Sequence, residues 1–399
     1  MILHVACLPF PSHQGTQAAI AAMLGASAQS GEPTHLLAYS QAAYDLDPPY
    51  HIHRIPDFPR VRSLRSGPSW GKVALDARCI VEVRRLAYRL RPRAIVGHHI
   101  EAACAAVAAR VSPVYYVAHT HLEAELPVYF SPAWAPLTRG VATRLESAVR
   151  SRVAGVAAVA PALALRLGGR TIHLPVPWLP SRSSETLSRE EARSALGIAP
   201  DGPICLYAGN LDRYQGWERL IDALSILRRT EPHARLLIAT ASDPGPALHE
   251  TQRAGLEHAV LFRSLHGEEA RASAHAASDL TWISRRTEGG LPIKMLDAFA
   301  RGLPAVAMER ATAGLEVGRA CIVVPNDDSA AMARAAVRLL GDRPAANALT
   351  AEAQRYLEAH HSTKSFMEAL GLLLGEGDRD AITEPCGPHR SVAQAPPAR

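Results

Sequence analysis

The stretch RRTEGGLPIKMLDAFARGLPAVA, residues 285–307, decides how this chain is read. Gly289 and Gly290 let backbone amides come close to a ligand, because neither carries a Cβ. Pro292 suits the first turn of a helix, where its missing N–H costs little. Ile293, Leu296 and Phe299 then recur at helical spacing and give that helix a buried face. Lys294 and Asp297, three residues apart, share another face near the positive end of the helix dipole. An apolar run, Ala305–Met308, follows as a strand. The unit is loop, helix and strand of a parallel α/β sheet, with a cation, helix amides and a carboxylate at its mouth. Such a set suits a phosphate and a ribose hydroxyl. The competing reading is a helix that only packs, with Lys294 and Asp297 as a surface pair.

The same alternation extends in both directions. Upstream, strands are predicted at Ile2–Leu8, Thr34–Tyr39, Ala94–Gly97, Val114–Ala118 and Gly155–Val159. Helices are predicted between them at 16–29, 70–90, 101–110 and 142–152. A Pro- and Ser-rich stretch, PVPWLPSRSSETLS, interrupts the pattern, and a second series runs from Ile204 to His360. The reading is therefore an N-terminal Rossmann-like domain over 1–175, a linker over 176–202 and a C-terminal Rossmann-like domain over 203–360. A helix over 361–375 is placed to pack back on the N-terminal domain, and 376–399 is read as a flexible tail. Two domains also fit 399 residues, more than one core usually supports. In doubly wound sheets ligands bind beyond the carboxyl ends of the strands, so a cleft between the two is the expected site.

Composition narrows the class. The chain is 48% hydrophobic and 20% charged, which excludes wholesale disorder. No uncharged apolar run approaches the ~18–20 residues of a membrane-spanning helix, and no secretory signal is evident at the start. Six cysteines with no C-x-x-C pair argue against a disulfide framework or zinc site, and a cytoplasmic setting is expected. The net charge of +5 is uneven: between Arg54 and Arg93 stand eleven Lys/Arg against three acids.

Two further turns have ligand-binding character. PFPSHQGTQAAIAAML, residues 9–24, runs from the first strand through Gly15 into a helix with Thr16 near its start, an anion site by its free amides. LYAGNLDRYQGWERLIDAL, residues 206–224, places Asn210, Arg213 and Gln215 in a loop over a strand's carboxyl end. YYVAHTHLEAELPVYF, residues 115–130, sets His119 just after an apolar strand, with His121, Glu123 and Glu125 beside it. His98 and His99 follow another strand and are placed to line the same cleft.

Taken together these stretches resemble the retaining glycosyltransferases of family 4, over roughly residues 1–375. AGNLDRYQG is similar to that family's phosphate loop, and GLPIKMLDAFARGLPAV to its signature helix and strand. The resemblance implies a GT-B fold, two doubly wound domains facing across a cleft. It also implies transfer of a hexose from a nucleotide-diphosphate sugar to an acceptor hydroxyl with retention, in glycolipid or cell-surface polysaccharide biosynthesis. Donor binding is assigned to Gly15, Thr16, Asn210, Arg213, Gln215, Gly289, Gly290, Lys294 and Asp297, the last holding the ribose. His119, Glu288 and Lys294 are the catalytic candidates. No cofactor and no metal are implied, the H-x-H of His119 and His121 notwithstanding.

Asn210 and Gln215 stand where the family often has Arg and Lys, and Gly289 stands where it has an acid. Glu288 is one residue early. These departures keep open a non-catalytic nucleotide-sugar-binding or scaffold protein, and the shared architecture keeps open a sugar-nucleotide epimerase. A glycan or lipid-linked acceptor is expected. The basic stretch 54–93 contains an amphipathic helix suited to peripheral contact with an anionic membrane, or alternatively to packing with a solvated arginine face. It lacks the aromatic interleaving of a nucleic-acid surface, so no nucleic-acid partner is expected.

Overall fold

The computed structural model describes residues 1–12, 14–56, 70–178, 187–286 and 290–376. The N-terminal sheet contains β1 (Ile2–Pro9), β2 (Thr34–Tyr39), β3 (His51–Ile55), β4 (Ala94–His98), β5 (Val114–Ala118), β6 (Gly155–Ala158) and β7 (Ile172–His173). Its order is β3-β2-β1-β4-β5-β6-β7, and every pairing is parallel. The C-terminal sheet contains β8 (Ile204–Ala208), β9 (Arg235–Thr240), β10 (Val260–Ser264), β11 (Leu280–Ile283), β12 (Ala305–Met308) and β13 (Ile322–Val324). Its order is β10-β9-β8-β11-β12-β13, again parallel throughout. The expected class, α/β with two doubly wound Rossmann-like domains, is the observed one.

Burial explains the sequence pattern. Strands β4, β5 and β8 are buried along their whole length, which is why they read as continuous apolar runs rather than alternating ones. β3 is an edge strand with sequence HIHRI, and its polarity hides it from a search for apolar runs. Each sheet reverses its winding at a pair of central strands, β1/β4 in one and β8/β11 in the other. Loops leaving those four strands splay apart and open a crevice at each switch point.

One hydrophobic core crosses from domain to domain. Phe10, Ile20 and Met23 of the N-terminal half share it with Ile283, Met295, Leu296 and Phe299 of the C-terminal half. Full burial of side chains this size is worth ~1.5–3 kcal/mol each, so the interface is a substantial part of the fold's stability. Helix Thr363–Leu374 packs on helix Gly15–Gln29 and on β6 and β7. Its Leu374 carbonyl accepts from the Tyr115 hydroxyl at 3.3 Å.

Part of the stretch read as linker is already docked on the C-terminal domain. Ser188 and Glu191 form a capping box that starts helix Arg189–Ala195. Arg193, 2% exposed, pairs with Asp279 at 3.0 Å, and Arg189 pairs with the same carboxylate at 2.9 Å. The tail assigned to 376–399 lies outside the described residues except for Glu376, which pairs with Arg93.

Candidate functional site

A cavity of about 590 Å³ lies between the domains. Its wall is built from the loops after β1, β4, β5, β8 and β11 and from the first turns of helices Gly15–Gln29 and Ile293–Ala300. Neither of these two helices has a side-chain N-cap or an acidic residue in its first turn. Both positive ends therefore face the cavity without an internal anion.

Two backbone approaches hold the wall closed. A Cβ on Gly290 would sit 1.8 Å from the His119 carbonyl oxygen, so only glycine lets the loop from the C-terminal domain meet the end of β5. Gly15 meets Ile293 more loosely, with a Cβ there at 3.5 Å from Ile293 Cγ1, an ordinary contact. Glycine is thus demanded by packing at 290 and tolerated by it at 15.

Lys294 projects from the first turn of its helix beneath β8. Its Nζ donates to Gln215 Oε1 at 2.7 Å and to the Tyr207 hydroxyl at 3.3 Å, and lies 4.4 Å from the Tyr207 ring centre. Gln215 in turn donates to Asn210 Oδ1 at 2.9 Å, and Asn210 donates to Asp212 at 2.9 Å and to Tyr214 at 3.3 Å. Arg285 also lines the cavity, bonding the Gly290 carbonyl and lying 5.8 Å from the Tyr214 ring. Burial, with Arg285 nearby, holds the Lys294 pKa well below the usual lysine range. Burial also lowers the Arg285 pKa. Among the described residues neither cation is paired with a carboxylate. Two half-buried basic groups with neutral partners, set at a helix N-terminus, form a receptor for an anion.

Asp297, on the same helix, is not the surface partner of Lys294. Its carboxylate is 7% exposed and accepts from Arg301 Nε at 3.0 Å, with Arg271 and His275 at 3.8 and 3.7 Å. The three basic groups fix the carboxylate at the cavity wall, where it can accept from ligand hydroxyls.

His119 belongs to a buried chain of three imidazoles, one from each of three neighbouring strands or strand ends. His4 Nδ1 and His98 Nε2 are 3.0 Å apart, and His98 Nδ1 and His119 Nε2 are also 3.0 Å apart. His99, with a left-handed φ of 67°, stacks on His119 at 4.8 Å between ring centres. Burial lowers the His4 pKa to about 3 and pushes those of His98 and His119 well below their ordinary value, so all three are neutral. A neutral imidazole has one donor and one acceptor, so the chain must run head to tail. His4 Nε2 is buried without a partner. A bare acceptor there costs less than an orphaned N–H, which makes His4 Nδ1 and His98 Nδ1 the donors. His119 then presents its own Nδ1–H to the cavity.

Several placements differ from those read in the sequence. Arg213 is exposed on a short 3-10 turn and does not line the cavity; its place as second cation is taken by Arg285. Gly15, Thr16, Asn210, Gln215, Gly290, Lys294, Asp297 and His119 all line the cavity, as do His98, His99, His121 and Glu125. Glu288 and Gly289 lie outside the described residues. The helix of the basic stretch spends its apolar face on the N-terminal core through Leu75, Cys79, Val83 and Leu86. Its opposite surface leaves Arg84, Arg85 and Arg89 exposed together with Val81 and Tyr88. Residues 57–69 of that stretch lie outside the described residues. Among the described residues no group of three or more His, Cys, Asp or Glu is arranged to hold a metal ion.

Comparison with known proteins agrees with the fold. Residues 202–342 match the family described as Glycosyl transferases group 1, and both AGNLDRYQG and GLPIKMLDAF fall inside that segment. A 180-residue stretch is 26% identical to the D-inositol 3-phosphate glycosyltransferase of Jonesia denitrificans, covering 43% of this chain and 42% of that one. A 130-residue stretch is 30% identical to the mannosylfructose-phosphate synthase of Agrobacterium fabrum, covering 30% of this chain and 28% of that one. The matched stretch thus spans less than half the length of these curated relatives. Among solved structures, sucrose-phosphate synthase from Thermosynechococcus elongatus superposes with a TM-score of 0.75 at 18% identity, over 94% of this chain and 98% of that one. Anabaena Alr3699/HepE in complex with UDP-glucose superposes with a TM-score of 0.69 at 18% identity, over 94% and 99%. The fold is GT-B.

Proposed function

We propose that this chain is a retaining glycosyltransferase of family 4 type, which transfers a hexose from a nucleotide-diphosphate sugar to an acceptor hydroxyl. The observation that carries the reading is the pair of basic groups Lys294 and Arg285, which have no carboxylate partner among the described residues, at the amino end of helix Ile293–Ala300. Breaking a sugar–phosphate bond leaves negative charge on the departing diphosphate. Preorganised donors in a closed site stabilise such charge more than water does. Lys294 and the helix amides receive the diphosphate oxygens, Arg285 adds a second cation, and Asp297 accepts from the ribose hydroxyls. His119 donates through Nδ1 to the sugar or its phosphate. In this reading the acceptor oxygen bonds the anomeric carbon on the face the diphosphate leaves, as the sugar–phosphate bond breaks, and the hydroxyl proton passes to the departing diphosphate. Contact between Gly290 and His119 completes the site by joining the halves.

The names of the relatives, and the UDP-glucose held by one structural neighbour, support a nucleotide sugar as donor and make uridine nucleotides the first probes. A membrane lipid or a lipid-linked glycan is the acceptor class, which puts the reaction in glycolipid or cell-surface polysaccharide biosynthesis. A thermal-shift screen against nucleotide sugars is the first test, since a bound donor raises apparent stability by mass action. The donor it identifies should release free nucleoside diphosphate only when acceptor lipid is added. Release without acceptor, epimerised sugar, or donor binding with no turnover over a broad acceptor panel would each contradict the transferase.

A further inference from the structure

The N-terminal domain exposes a row of large apolar side chains that its own core does not use. Helix Ala135–Arg150 buries Thr138, Ala142, Glu146 and Val149. Its adjoining stripe and the turns before it leave Tyr129, Phe130, Trp134, Leu137, Val141 and Leu145 between 39% and 58% exposed. Trp134, Leu137, Val141 and Leu145 follow one another at spacings of three or four, so they form one line along the helix. A groove of about 370 Å³ runs under this line, walled by apolar side chains and Thr138. Soluble proteins seldom expose contiguous apolar surface of this extent without a partner.

Position and charge identify the partner. Leu126 lines both the groove and the cavity between the domains, and Tyr129 lines the cavity, so the row begins at the cavity's mouth. Helix Ala135–Arg150 carries Arg139, Arg144 and Arg150 against one acid, the buried Glu146. It packs beside helix His99–Ala108, whose other neighbour is helix Trp70–Leu90 with exposed Arg84, Arg85 and Arg89. Tryptophan, tyrosine and phenylalanine beside aliphatic residues, with arginines on the same layer, is the composition of a surface that enters the headgroup boundary of an anionic bilayer. Among the described residues no helix is long and apolar enough to cross a membrane, so the contact is one of lying on the leaflet.

We propose that the 129–145 face docks on the acyl-chain boundary of an anionic membrane leaflet, holding the mouth of the cavity where a lipid acceptor's polar head can enter it. The docking itself is independent of the transferase reading; only the lipid acceptor rests on that reading. The test is co-sedimentation of the full chain with vesicles of phosphatidylcholine and phosphatidylglycerol in equal parts. The double variant Leu137→Ser/Val141→Ser changes only exposed positions and should sediment at least tenfold less than wild type. Vesicles brominated on the acyl chains should quench fluorescence that a Trp134→Phe variant lacks. Failure of the wild type to sediment would overturn the docking, as would equal sedimentation of the double variant, no loss of Trp134 emission, or self-association through this face in light scattering. A nucleotide-induced thermal shift retained in the double variant shows that its fold and donor site are intact. Loss of that shift in wild type, with vesicle binding preserved, would instead strike the donor reading alone.

Discussion

Replacing Gly290 by alanine probes the contact that closes the site. The new Cβ would lie 1.8 Å from the His119 carbonyl oxygen and 3.0 Å from its carbon. A normal carbon–oxygen contact needs about 3.3 Å, so the two backbones must part by roughly 1.5 Å. Neither atom belongs to a side chain that can swing aside; the strain therefore passes to the domain interface and to the Arg285 contact on the Gly290 carbonyl. Overpacking of this kind costs ~1–3 kcal/mol of stability. Misplacing catalytic groups by about 1 Å can lower turnover ~100-fold. Gly15→Ala is the matched control, because its Cβ meets Ile293 at 3.5 Å without a clash. The assay is nucleoside diphosphate release with the donor found by thermal shift, alongside urea unfolding of both variants. Full activity in Gly290→Ala, or an equal loss in Gly15→Ala, would refute the reasoning.

Other consequences concern charge. Because burial holds the His4 pKa at about 3 in the folded chain against 6.5 in an exposed imidazole, the unfolded chain binds the extra proton as pH falls below 6.5. Stability tied to His4 is complete above that pH and is lost downward toward pH 3, at up to ~1.4 kcal/mol per pH unit. Urea unfolding between pH 7 and 5 should therefore show a shallower pH slope for His4→Leu than for wild type, and equal slopes would contradict the burial argument. Arg285→Ala should weaken binding of the diphosphate by about tenfold or more, the worth of a buried charge-assisted contact, whereas Arg213→Ala should leave it within about twofold. A reversed order in titration calorimetry would restore Arg213 to the site.

Much of this fold is written in runs and periods. β2 and β5 stand at their expected bounds because strands buried on both faces must be almost continuously apolar. Helix Ile293–Ala300 is legible because its proline, apolar triad and Lys294 each have a local reason to be there. Elements that lack such local reasons were hidden. β7 has two residues, and helix Pro161–Leu167 resembles a turn because its proline occupies the first turn. Helix Ala135–Arg150 starts seven residues before the expected Ala142, since the apolar row of its first half faces outward and blurs the core periodicity.

The site divides in the same way. Lys294 and Asp297 are visible from spacing on one helix, but their partners are not, because Tyr207 and Arg271 come from other strands and helices. Arg285 lines the cavity and Arg213 does not because of the way each side chain leaves its turn, and composition is silent on that. The histidine chain joins residues 94 and 21 positions apart. A histidine on or just after each of β1, β4 and β5 was the available signal, usable only once those strands are known to be adjacent.

Calorimetric titration of UDP and GDP into wild type and Lys294→Met, each at two pH values and in buffers of different ionisation enthalpy, tests the anion receptor most directly. A diphosphate beside Lys294 should raise its depressed pKa, so wild type should take up protons on binding and bind more weakly as pH rises. Lys294→Met should bind about 100-fold more weakly and lose that proton uptake, while unfolding within ~1 kcal/mol of wild type, since methionine fills a similar volume without a charge. Equal affinity and equal proton uptake in the two proteins would contradict the assignment of Lys294 and the helix mouth to the diphosphate.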